Sequence, residues 1–402
     1  MKNRIRLLHV PSESEAAQLL KSIGVEPYGI VSMAPKMRHL NILVEGLTPK
    51  VANIIKQEML SQGGDAAVSR GCVDCSVSRT DALIMGTVKQ VLRFAEKLSL
   101  QPFGLKDVSS DLRELLDRIS RRRFLLRTPR REIGMAGRTL VMGVINMTPD
   151  SFSDGGMIAD AESGLRQAER LIAEGADILD VGGESSRPGA GPVPLKEELR
   201  RVIPLIRRIS READVPVSVD TAKAEVARQA IDAGAEIVND VTALRGDRKM
   251  ARIVAEAGVP VILMHMQGTP RTMQAAPSYD DVVADVCRFL RERIGFAVDQ
   301  GIDEEQIAVD PGFGFGKNVE HNLELLRRLG EFRSLGRPVV VGASRKSTIG
   351  KVLDRPVDQR MMGTAATVAV SVARGAAVVR VHDVAEMRDV VRMTEAIERT
   401  HL

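Results

Sequence analysis

TLVMGVINM at residues 139–147 begins a series of eight short apolar runs that continues to residue 383. The others are ADILDVGG (176–183), PVSVD (216–220), EIVND (236–240), VILMHM (261–266), IAVDPG (307–312), PVVVGASRK (338–346) and AAVVRVHD (376–383). Each is rich in Val, Ile or Leu, as strands covered on both faces are, and each is followed by about 10–20 residues of helix-like periodicity. AESGLRQAERLIAEG (161–175) and TAKAEVARQAIDAG (221–234) are examples, both closing on the Gly that often ends a helix. Eight such β–α units in roughly 260 residues match the size of a (β/α)8 TIM barrel. The last residues of the strands would then meet on one rim, and here they are Asp, Asn, His and Lys. The active site is expected on that rim.

An open doubly wound sheet is the competing fold. It would ordinarily use fewer strands and bind its ligand at a switch point. The first run leads into NMTPDSFSDGG (146–156), without the G-x-G-x-x-G turn of a dinucleotide fold. PGFGFGKN (311–318) lacks the Lys-Ser/Thr pair of a phosphate loop. Both Gly-rich pieces therefore read as rim loops.

Working outward, residues 1–117 form a different unit, a small mixed α/β domain to which no role is assigned. Residues 118–137, with the Arg-dense RISRRRFLLRTPRREIG, read as a basic linker, and residues 138–402 as the barrel. The chain has 402 residues, 44% hydrophobic and 27% charged, as in a folded globular enzyme. Trp is absent and there are two Tyr, which argues against a base-stacking platform or a lipid-facing belt. A net charge of +4 suits an anionic substrate without establishing one, and nothing resembles a nucleic-acid module. Three Cys do not make a secreted disulfide framework. Cys72 and Cys75 form a C-x-x-C pair, a spacing used in redox and metal sites, but no second pair follows, so two reduced thiols are expected. No segment reaches transmembrane length, and the first residues lack an apolar signal core, so the expected location is the cytoplasm.

On the rim, Asp220 closes PVSVD, Asn239 lies near the end of EIVND, and Asp310 closes IAVD. Any one of them is also a good helix N-cap. Three on one rim instead suit a flat heterocycle with adjacent donor nitrogens, since carboxylates pair with such edges in a bidentate way. Asn239 can donate and accept around the same ring. Met264 and Phe315 either pack on that ring or belong to the core. Lys346 follows the seventh strand, and Arg380 and His382 lie in the eighth, pointing the same way. Barrels commonly hold phosphate after these two strands, which makes Arg380 and His382 candidate diphosphate contacts. Two loops complete the rim: NMTPDSFSDGG with Asn146, Phe152 and Asp154, and GGESSRPGAGP (182–192) with Ser186, Arg187 and Pro188. They are long enough to close over a ligand, or are ordinary turns with helix caps.

Taken in order, NMTPDSFSDGG, DVGGESSRPGA, SVDT, EIVNDV, LMHMQGTP, VDPGFGFGK, GASRKS and RVHDV resemble the dihydropteroate synthase family over about residues 138–400. Eight motifs at appropriate barrel positions make the resemblance specific. One departure is Ser185-Ser186-Arg187-Pro188, where the family usually has Ser-Thr-Arg-Pro; the hydroxyl is retained. The resemblance implies condensation of 6-hydroxymethyl-7,8-dihydropterin diphosphate with p-aminobenzoate, giving 7,8-dihydropteroate and diphosphate. It places the pterin on Asp220, Asn239, Asp310 and Lys346, with Asp180 and Met264 also in the substrate-binding set. It puts the diphosphate near Asn146, Arg187, Arg380 and His382, with Mg²⁺ on Asn146 and organised by Asp154. The p-aminobenzoate would lie against Phe152, Pro188 and Phe315, its carboxylate near Ser347, with Ser186 in the enclosing loop. Asp220, Lys346, Arg380 and His382 carry the catalytic roles. Sulfonamides are the implied competing ligands, and a homodimer through the barrel is the implied assembly, with no nucleic-acid or membrane partner. The alternatives are a pterin-binding methyltransferase barrel using methyltetrahydrofolate, or a non-catalytic folate-binding protein.

Overall fold

The structure is a computed structural model that describes residues 5–10, 12–121, 123–147, 157–185 and 191–399. The chain divides into two compact units, one running to Asp117 and the other covering Arg118–Arg399.

The first unit contains α1 (Glu13–Ser22), α2 (Pro27–Met33), β1 (His39–Leu47), α3 (Pro49–Ser61), β2 (Asp65–Val68), β3 (Thr80–Thr87), α4 (Val88–Leu98) and most of α5 (Leu105–Ser120). Its strands form an antiparallel sheet in the order β1-β3-β2. Alternation along β1 and β3 buries Ile42, Ala82 and Ile84, while α3 buries Ile55 and Met59 and α4 buries Val91, Phe94 and Leu98. Pro49 starts α3, where the missing N–H costs nothing. A capping box between Thr87 and Gln90 starts α4. Cys72 is buried and Cys75 exposed, and both are free thiols.

The second unit starts with the antiparallel hairpin β4 (Leu125–Arg127) and β5 (Glu132–Gly134). Strands β6 (Leu140–Asn146), β7 (Ile178–Gly182), β8 (Val217–Asp220), β9 (Ile237–Asp240), β10 (Val261–Met264), β11 (Ile307–Asp310), β12 (Val340–Val341) and β13 (Val378–Val381) follow. Between and after them come α6 (Met157–Ala173), α7 (Leu195–Glu212), α8 (Ala224–Asp232), α9 (Met250–Ala257), α10 (Val282–Asp299), α11 (Val319–Arg327), α12 (Ser347–Leu353), α13 (Met361–Ala373) and α14 (Val384–Arg399). The eight strands are parallel neighbours in the order β11-β10-β9-β8-β7-β6-β13-β12. A parallel bridge between Val309 and Val339 brings the two ends of that sheet together. All eight apolar runs are barrel strands, so the expected TIM-barrel architecture is the one observed.

Strand alternation sorts the side chains. Val141, Leu179, Val181, Val217, Val219, Leu263 and Val379 face the helices in the large outer core. The other set faces inward. Toward the strand starts it is apolar: Leu140, Met142, Ile178, Ile237, Ile262, Ala308, Val340 and Val378 pack together. Leu126, Ile133 and Met135 from the hairpin segment belong to the same cluster, so residues 118–137, read from sequence as a linker, contain the plug beneath the barrel. Toward the strand ends the inward positions turn polar, at Asp180, Ser218, Asp220, Asn239, Asp310 and Arg380. One end of the barrel is thus sealed with hydrocarbon and the other lined with charge.

Candidate active site

Asp180, Asp220 and Asn239 come from three adjacent strands; Asp220 is the register partner of Asn239, and Asp180 sits one inward position deeper, opposite Ser218. Asp180 is fully buried. Its Oδ2 accepts from Asn239 Nδ2 at 3.1 Å and from Arg380 Nε at 2.6 Å. Arg380 Nη2 donates to Asp220 Oδ2 at 2.9 Å. One guanidinium therefore spans two carboxylates. The sequence reading sends Arg380 toward phosphate; here its fork is engaged with the acidic wall. Burial pushes the Asp220 carboxyl up to about 7, with Arg380 pulling it down and Asp180 adding to the rise. Burial also raises Asp310, against the N–H of Gly312, which donates to Asp310 Oδ1 at 2.7 Å.

The loop after β11 closes the next side. Lys317 is almost fully buried, and its ammonium donates to Gly312 O and Phe315 O, each at 3.0 Å, and meets His265 Nδ1 at 2.9 Å. Burial lowers Lys317 to about 7 and keeps His265 neutral. Gly312 has φ +71, and a Cβ there would lie 1.8 Å from His265 O, so only glycine lets this loop lie against the end of β10. Phe315 packs in a small cluster with Met264, Met266 and Met273. Lys346 Nζ sits 3.9 Å from the Phe315 ring centroid, a cation–π contact that ties the β11 and β12 loops. Of the two readings of Met264 and Phe315, membership of a buried apolar cluster is the one seen, and Phe315 also faces the Lys346 ammonium.

Lys346 is the N-cap of α12, and Ser347 is its first residue, exposed at the rim. His382 lies just past β13, with Ser344 Oγ 3.0 Å from its Nδ1. Burial, then Arg380 and Arg345, hold His382 down at about 4, so it is a neutral imidazole near pH 7 rather than the cation its sequence position suggests. Asn146 ends β6 opposite Gly182, half-buried. Phe152, Asp154, Ser186, Arg187 and Pro188 lie outside the described residues. Among the described residues no group of three His, Cys, Asp or Glu is arranged to hold a metal ion.

Several supporting residues escape a strand-end reading. Arg345 forks onto Asp383, with Nε to Oδ2 at 2.9 Å. Lys223 pairs with both Glu184 and the buried Glu198, whose Oε1 accepts from Thr221 Oγ1 at 2.6 Å. These pairs join segments distant in sequence, so the sequence alone gives no signal that their charges meet. Together the site offers an acidic, amide-lined floor for a ring rich in N–H donors and a mouth bearing Lys346, Arg380 and His382.

The pterin binding enzyme family profile matches residues 142–382. A probable bifunctional folylpolyglutamate synthase/dihydropteroate synthase of Halobacterium salinarum is 44% identical over 390 residues, 96% of this chain and 46% of that protein. The chain thus spans about half the length of that relative. A Yersinia pestis dihydropteroate synthase solved in a sulfonamide drug complex superimposes with a TM-score of 0.66 at 41% identity, covering 69% of this chain and 100% of that one. A Xanthomonas albilineans dihydropteroate synthase solved with 7,8-dihydropteroate gives 0.63 at 45% identity, covering 69% and 99%. A barrel with this acidic floor, matched by the pterin-binding profile and by the two solved synthases over 99% or more of their chains, belongs to the dihydropteroate synthase family.

Proposed function

We propose that the chain joins 6-hydroxymethyl-7,8-dihydropterin diphosphate to p-aminobenzoate, releasing diphosphate and leaving 7,8-dihydropteroate. The observation that carries this reading is the inward-facing set of Asp180, Asp220 and Asn239, of which Asp220 and Asn239 are register partners and Asn239 and Arg380 both donate to Asp180 from other strands, with Asp310 on β11. The pterin's amide and amino nitrogens are donors that buried carboxylates hold strongly. Asn239 supplies a mixed donor and acceptor, and Lys346 a donor from the rim.

In the reaction the bond from the exocyclic carbon to the diphosphate oxygen breaks, the arylamine nitrogen bonds that carbon, and the nitrogen loses a proton. An arylamine is a poor nucleophile, so leaving-group departure must supply most of the rate. The ring then delocalises positive charge, which ionised Asp220 stabilises from a fixed position in a low-dielectric site. His382 supplies a donor for the departing anion, and Arg380, whose Nε and Nη2 are engaged by Asp180 and Asp220, contributes the positive charge of its guanidinium. Asn146 offers the hard oxygen that Mg²⁺ accepts, and this ion characteristically takes one or two protein oxygens plus phosphate, so a dedicated protein cage is not required. When bound, Mg²⁺ would neutralise charge on the diphosphate. Sulfonamides are the expected competitors of p-aminobenzoate. A cytoplasmic homodimer is part of the same reading, supported by free thiols and by exposed Leu353, Val357, Met361 and Met362 around α12 and α13.

The test is to combine purified protein, Mg²⁺ and both substrates and to follow diphosphate and dihydropteroate together. Equal appearance of the two is expected. Folded protein that makes neither at any substrate level ends the proposal, and methyl transfer from methyltetrahydrofolate would point to the rival barrel chemistry.

A further inference from the structure

The loops after β12 and β13 are joined twice. Ser344 Oγ lies 3.3 Å from the backbone nitrogen of His382 and 3.0 Å from its Nδ1. One residue further on, the Arg345 guanidinium forks onto the Asp383 carboxylate. Arg345 has φ +56, a conformation that side chains other than Gly seldom adopt and that a surrounding structure must enforce. The Thr364 hydroxyl enforces it by accepting from Arg345 N at 3.0 Å, and Arg360 Nη1 donates to Arg345 O at 3.1 Å. Ser344 and Thr364 are both buried. The Ser344 hydroxyl is therefore carried on a rigid support facing the imidazole.

This geometry favours one placement of the ring proton, because the other leaves the proton of the buried Ser344 hydroxyl without an acceptor among the described residues. A backbone N–H only donates, so Ser344 Oγ accepts from His382 N. Among the described residues, the acceptor left for the Ser344 proton is Nδ1. With Nδ1 accepting, the imidazole carries its proton on Nε2. The charged groups around the ring are Arg380, Arg345, Lys346 and Asp383, three cations against one carboxylate.

We propose that Ser344 is a positioning residue that sets the tautomer of His382, so that the imidazole presents Nε2–H to the departing diphosphate. The opposite tautomer would aim a lone pair at the anion. The identity of the anion rests on the proposed function; the tautomer does not.

The experiment is nitrogen-15 NMR of the 402-residue chain labelled in its six histidines, with His382 assigned by its loss in His382→Asn. The Nε2–H tautomer is expected at pH 7. Ser344→Ala should lose that preference and raise KM for the pterin diphosphate by roughly tenfold or more, the effect of misaligning one hydrogen bond to a charged group. KM for p-aminobenzoate should stay within about twofold. Ser344→Thr keeps the hydroxyl and should restore both readouts. An Nδ1–H tautomer or an imidazolium in the unsubstituted protein overturns the proposal and needs no variant to fold. So does a folded Ser344→Ala protein with tautomer and KM unchanged. If the protein makes no dihydropteroate, the functional reading fails while the tautomer measurement still decides the role of Ser344.

Discussion

Asp220 is held in a costly state. Its folded pKa of about 7 lies above the unfolded value of 3.8, so between those values the native state binds the extra proton. The stability associated with that proton is present at low pH and is lost as pH rises toward 7. Catalysis asks for the opposite, an ionised carboxylate above pH 7. Asp220→Asn should therefore reduce kcat/KM for the pterin diphosphate by about a hundredfold or more. Its melting temperature relative to the native chain should rise between pH 5 and pH 8. A difference in melting temperature that does not vary with pH would show that the carboxyl is not shifted. Lys317 is a second residue at which burial and function meet. Lys317→Met leaves Gly312 O, Phe315 O and His265 Nδ1 without their donor, and should cost about 2–4 kcal/mol in denaturant unfolding. The loosened β11 loop should also raise KM for the pterin, which Lys317→Arg should correct only in part, since a fork cannot copy three donors from one point.

Among the elements, the β4–β5 hairpin has an influence out of proportion to its length. Leu126, Ile133 and Met135 complete the apolar floor of the barrel beneath the polar floor of the site. Leu126→Ala should cost about 2–5 kcal/mol, the usual penalty of a buried cavity. Because the hairpin lies at the strand starts, both KM values should be near native at 25 °C while the melting temperature falls. Large KM changes in a folded Leu126→Ala protein would mean that the two ends of the barrel are mechanically coupled. The β12 run shows the reverse economy. Nine residues read as a strand and its cap, PVVVGASRK, of which Val340–Val341 is strand. The remainder curls to aim Ser344, Arg345 and Lys346, with Arg345 in the left-handed region.

At the scale of the whole chain, the relation to the Halobacterium salinarum protein reaches across 390 residues, so it includes the first unit as well as the barrel. Removing residues 1–117 should leave a folded chain that makes dihydropteroate, since the outer core, inner core and site all come from the second unit. A chain starting at residue 138 lacks the hairpin and should melt well below one starting at 118. A shorter chain that folds and binds substrates yet turns over slowly would identify the first unit as a regulator of the barrel.

The sequence by itself determined the barrel, because two-sided burial leaves a periodic apolar record at each strand, and the rim, because Asp220, Asn239, Asp310, Lys346, Arg380 and His382 stand where those runs end. Helices Pro49–Ser61 and Val88–Leu98 carry equally local signals, a proline at the first position of one and a capping box at the start of the other. Tertiary structure decided the rest. The hairpin is hidden in an Arg-rich stretch, because its few apolar residues acquire meaning only against a barrel floor built from strands as far away in sequence as Val378. Arg380 faces carboxylates, and His382 is neutral, because the partners and the burial that set their charge states come from other strands. The hydroxyl that meets the His382 ring belongs to Ser344, 38 residues earlier, placed beside it by the pairing of β12 with β13. Short-range pattern carries the fold, whereas charge state and proton position depend on distances that exist only after folding.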